Sequence, residues 1–66
     1  MVAVETVVVV EEMSFVIRAW PSRVADGWCW VARGEDHPLV LESRRPWATA
    51  RAATEAAVRQ LTRVVA

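Results

Sequence analysis

The spacing of apolar residues along this chain changes period about two-thirds of the way through. In "SFVIRAW" (14 to 20), "WCWVAR" (28 to 33) and "LVLES" (39 to 43) apolar and polar positions alternate, the period of a strand with one buried face. In "PWATARAATEAAVRQLTRVV" they recur at steps of three and four instead. Ala50, Ala53, Ala57, Leu61 and Val64 fall on one stripe, which predicts an amphipathic helix over residues 47–65. Pro46 suits a first helical position, and Thr49 is a competing N-cap. On the other side Arg51, Glu55 and Arg59 form an i, i+4, i+8 ladder, while Arg59 and Arg63 lie near the negative end of the helix dipole.

The links between the strands carry turn chemistry. "PSRVADG" holds Pro21 and the Asp26-Gly27 pair, and "GEDHP" holds Gly34 and Pro38. Both are short enough for antiparallel hairpins. The expected fold is α+β: a β-meander over residues 14–43, in a three- or four-stranded antiparallel sheet, with one C-terminal helix packed on one face. Residues 1–66 make a single domain.

Alternation also sorts the side chains. Phe15, Ile17, Ala19, Trp28, Trp30, Ala32, Leu39 and Leu41 form one uncharged set. Val16, Arg18, Trp20, Cys29, Val31, Arg33, Val40 and Glu42 form the other, and every strand charge falls there. The first set should face the helix, whose alanines let it approach while two indoles fill the space. The second set is too apolar for a freely solvated surface. The segment "VAVETVVVVEE" is equally apolar and strand-prone. It could add a fourth strand at a sheet edge, or it could serve as a dimerisation segment between two subunits. A homodimer is expected. Met13, which precedes a good strand, is an alternative start that would make residues 1–12 a dispensable tail.

Size and composition narrow the chemistry. A chain of 66 residues buries only about 60% of its unfolded surface and commonly needs a disulfide, a metal or a partner chain. A single cysteine, Cys29, forms no internal disulfide and suits a reducing cytoplasm. Cys29 and His37 are too few for a structural zinc site. Association with a partner is left as the stabiliser. No apolar run approaches a membrane span, and the N-terminus lacks the basic region of a signal peptide. A soluble cytoplasmic protein is the expectation.

All eight basic side chains are arginine. Residues 1–12 carry three acids and no arginine, while residues 43–66 carry five arginines and one acid. Catalysis finds little support. His37 sits beside Glu35 and Asp36 in a turn, Cys29 lies mid-strand between tryptophans, and Gly27 and Gly34 make no phosphate loop. No cofactor and no small-molecule substrate are expected, since so small a domain has little room for an enzymatic pocket. The pair Arg44-Arg45 in "SRRPW", next to Trp47, could clamp phosphate or a partner's carboxylates. Trp20 and Trp47 are the tryptophans expected to be exposed. The predicted partner-binding residues are Arg18, Trp20, Val31, Arg33, Arg44, Arg45 and Trp47, arginine and tryptophan being the types that carry interface hot spots.

The phrase "DGWCWVA", then a proline and a short strand, then "TARAATEAAVRQL", resembles the core of HicB-type antitoxins. The element order also resembles the three-strand-plus-helix DNA-binding domains of phage integrases and plant ethylene-response factors, which read DNA with arginine and tryptophan on the sheet. Phage anti-CRISPR proteins, short single domains that act by surface binding, are a further comparison. The lack of catalytic signals and the surplus of apolar and arginine surface on so short a chain lead to the expectation of a non-enzymatic module, antitoxin-like or anti-CRISPR-like, that binds and blocks a larger protein partner. The alternative is a small nucleic-acid-binding domain using Arg18, Arg33, Arg44, Arg45 and Arg51.

Overall fold

The computed structural model describes residues 2–65 and has an α+β fold. Four strands, β1 (Val4–Val10), β2 (Met13–Pro21), β3 (Trp28–Gly34) and β4 (Val40–Glu42), pair in chain order as one antiparallel sheet. The helix α1 (Ala50–Val65) lies over β2 and β3 and reaches both outer strands. The N-terminal valines thus find their neighbour within the chain, along the full length of β2, from Val4 opposite Ala19 to Val10 opposite Met13.

The alternation holds strand by strand. Phe15, Ile17, Ala19, Trp30 and Ala32 are buried against Ala53, Ala56, Ala57 and Leu61 of α1, with Trp28, Leu39, Leu41, Val8 and Val10 packed around them. Three alanines on the buried helix face let the backbone come close to the sheet, and Phe15, Ile17, Trp30 and Leu61 supply the bulk between the layers. The stripe differs from expectation at its end. Val64 is 47% exposed, and Val65 packs against the core in its place. Steps of four from Ala53 through Ala57 and Leu61 lead to residue 65, so the stripe drifts around the helix as a 3.6-residue period requires.

The helix also begins later than residue 47. The Ala52 N–H donates to the Thr49 hydroxyl at 3.0 Å, making Thr49 the N-cap and Ala50 the first helical residue. Trp47 cannot join, because its N–H and C=O are committed to Trp28, at 2.7 and 2.6 Å.

Turn geometry is tight in two places. Gly27 has φ +123°, and a Cβ there would stand 2.7 Å from the Trp47 carbonyl oxygen and 2.8 Å from the Pro46 Cβ. Its hydrogen atom is therefore what allows the segment before α1 to lie against the sheet. The β1–β2 hairpin turns through Glu11 and Glu12, at φ 51° and 65°. Positive φ at both central residues is the requirement of a type I′ turn, which favours Asn-Gly. Two glutamates pay about 1 kcal/mol or more each to stay there. Glu11→Asn combined with Glu12→Gly should therefore raise the melting temperature by about 4–8 °C, for about 1 kcal/mol regained. An unchanged or lower midpoint in thermal denaturation would show that the turn is unstrained.

Candidate functional site

The sheet face away from α1 is open. Register places Glu5, Arg18, Val31 and Glu42 in one row across the four strands, with Val7, Val16, Arg33 and Val40 in the row beside it. Trp20 and Cys29 stand opposite each other at the next step. Val7 is 62% exposed, Val9 66%, Val40 54% and Trp20 36%. Single exposed apolar residues are ordinary on protein surfaces, but here Val7, Val9, Val40 and Trp20 share one face of the sheet. At one end of that face Arg18, Trp20, Val31 and Arg33 line a groove of about 750 Å³, bounded by Pro21 at the end of β2 and by Ser22 and Arg23 of the β2–β3 connection. That connection is held by Ser22, whose N–H donates to the Gly27 carbonyl and whose hydroxyl accepts from the Val24 and Ala25 N–H groups.

The other three predicted residues, Arg44, Arg45 and Trp47, lie on the helix side. The β3–β4 ladder continues through Ser43, whose N–H donates to the Trp30 carbonyl at 2.9 Å while its hydroxyl accepts the Trp30 N–H at 3.1 Å. Extending the register from Val31–Glu42 would set Trp28 opposite Arg45, yet Trp28 pairs with Trp47. Two extra residues are therefore pushed out of the ladder as a bulge, which exposes Arg44 and Arg45. Trp47 itself is half-buried and packs against the core, so it is not displayed as the sequence suggested. The Arg45 guanidinium carbon sits 3.8 Å from the Trp47 ring centroid, and that of Arg59 lies at 5.7 Å. Such cation–π contacts are worth about 0.5–1 kcal/mol at exposed sites and hold the guanidiniums in place.

A second groove, of about 530 Å³, runs between this bulge and α1, with Arg44, Arg45, Arg59 and Arg63 among its lining residues. The sequence places Arg59 in a charge ladder with Glu55, and Arg59 and Arg63 near the negative end of the helix dipole, but neither in a binding site. Their i, i+4 spacing does put them on one face, but the bulge that faces them has no sequence signature. The expected ladder is also shorter than drawn. Arg51 Nε meets Glu55 Oε2 at 3.2 Å, whereas Arg59 makes no ion pair among the described residues and stands near Trp47.

No family model, curated protein or solved structure matches the chain. Its own geometry has to carry any reading of function. Two grooves of this size are more than was expected of so short a chain, and both are open clefts on the surface. His37 accepts the Leu39 N–H through Nδ1 at 3.2 Å, which makes it part of the turn before β4. Cys29 is a half-buried free thiol on the open face. Among the described residues no three His, Cys, Asp or Glu side chains group as a metal site, and no helix is long and apolar enough to cross a membrane.

Proposed function

We propose that this chain is a small non-enzymatic interaction module which binds a larger protein through the open face of its sheet and thereby inhibits or regulates it. The observation that carries the reading is the pair of cross-strand rows, in which Val7, Val16, Val31 and Val40 are interspersed with Arg18, Arg33, Glu5 and Glu42, with Trp20 one step beyond them. Valines interleaved with charges of both signs favour a protein surface over a polyphosphate. Antitoxin-like and anti-CRISPR-like inhibitors are the classes this architecture suits, working in the cytoplasm. In the free protein the same face would be covered by a second copy, as a homodimer.

The nucleic-acid alternative is weaker because its arginines do not share a surface. Arg18 and Arg33 are on the open face, Arg44 and Arg45 on the helix side, and Arg51 is paired with Glu55. Light scattering at micromolar concentration tests the dimer, with twice the 7.4 kDa chain mass expected. Val7→Arg combined with Val40→Arg should give a monomer of unchanged circular dichroism, and should lose any protein partner the unmodified chain retains. A wild-type monomer removes the homodimer. Retention of the partner by the double variant removes the assignment of the face.

A further inference from the structure

We infer that the groove between the Arg44–Arg45 bulge and α1 is a binding site for a small organic phosphate, of the size and charge of a nucleoside diphosphate. This inference is independent of the open sheet face. Arg44, Arg45, Arg59 and Arg63 converge on one cleft with Glu42 as the single acid in its lining. Four like charges gathered on so small a chain repel one another, and among the described residues none of them makes an ion pair. An anion of more than one charge relieves that repulsion. Phosphate carries nearly two charges, and the guanidinium fork meets its oxygens two at a time. A single carboxylate would leave most of the excess charge unmatched.

Volume and lining extend the argument from phosphate to an organic phosphate. About 530 Å³ lies within the range of small-molecule sites and exceeds the needs of a bare ion. Trp47 and Ala56 supply an apolar wall, and the Gln60 amide offers both a donor and an acceptor. Arg45 is already stacked on Trp47, so its orientation is set before a ligand arrives. Trp30, 4% exposed, also lines the cleft, so its indole signal reports on the same site. A polynucleotide fits less well, since it needs a basic track along its backbone and the remaining arginines lie on other surfaces.

Proton–nitrogen NMR at constant ionic strength gives the test, because the four tryptophan indole N–H signals report the two surfaces separately. Adenosine diphosphate should shift the Trp47 and Trp30 signals saturably and leave that of Trp20 in place. Inorganic phosphate should move the same signals more weakly. Arg44→Gln and Arg59→Gln, both at exposed positions, should each raise the half-saturation concentration about tenfold. Arg18→Gln with Arg33→Gln should leave it unchanged. The inference is overturned by shifts that do not saturate, by equal movement of Trp20, or by equal weakening in the open-face variant. It is also overturned if a single-stranded oligonucleotide without terminal phosphates saturates the signals at a lower concentration than the diphosphate.

Discussion

Trp30→Ala is expected to bring this protein to the edge of unfolding at room temperature. Trp30 spans the space between α1 and the middle of the sheet, with Ala19 opposite it on β2. The core cluster that holds it includes Ala19, Ala32, Ala53, Ala56 and Ala57, side chains too small to fill the gap. Truncating a buried tryptophan costs about 3–5 kcal/mol through lost transfer energy and the remaining cavity. A domain of this length holds roughly 3–10 kcal/mol in total. Urea unfolding followed by circular dichroism checks the loss, and a cost below about 1 kcal/mol would mean that Trp30 is not the central filler. Trp30→Phe provides the contrast. It gives up part of the ring but also removes the unpartnered buried N–H, whose desolvation costs about 1–3 kcal/mol. The phenylalanine variant should therefore retain most of the stability that the alanine variant loses.

How far the sequence discloses this molecule depends on whether a feature is periodic. The two faces of β2 and β3 were legible because burial on one side imposes a strict alternation, and a shift of one residue would have put Arg18 or Arg33 into the core. The helix stripe was legible for the same reason, apart from its last position. Features that depend on a neighbour's position were hidden. Glu11-Glu12 carries no turn signal, since neither residue favours positive φ, and so the pairing of β1 with β2 stayed one option among two. The bulge after Ser43 arises from where β3 begins and from the close approach at Gly27, neither of which is local to "SRRPW". Arg44 and Arg45 stand out in the sequence as a pair before the helix beside Trp47, and Arg18 and Arg33 as charges on the open strand face. Only the register shows that the two pairs occupy opposite sides of the sheet and that Arg59 and Arg63 complete the second group.

A chain beginning at Met13 should fail to fold, although the sequence left residues 1–12 open as a dispensable tail. Removing them deletes β1 and every hydrogen bond along one side of β2. It also uncovers core side chains. Val8 and Val10 pack against the buried cluster, with Val8 directly opposite Phe15, which is fully buried. At about 25 cal/mol per Å² of apolar surface, losing two half-buried valines and baring part of Phe15 costs about 2–4 kcal/mol. That is comparable with the whole stability of so small a domain. The new edge would be β2 itself, nine residues long and rich in apolar side chains, a template for pairing with other chains. The shortened protein is expected to lack a cooperative thermal transition and to precipitate at micromolar concentration. A cooperative transition at the original midpoint would make β1 an appendage. Two point variants tell loss of packing apart from loss of the strand. Val7 and Val8 are adjacent, but Val7 lies on the open face while Val8 lies on the helix face. Val7→Asp should lower the midpoint only as far as the loss of the second copy does, because within one chain its carboxylate stays in water. Val8→Asp should lower it steeply, because the charge would be pressed against Phe15 and the helix with nothing to pair with it.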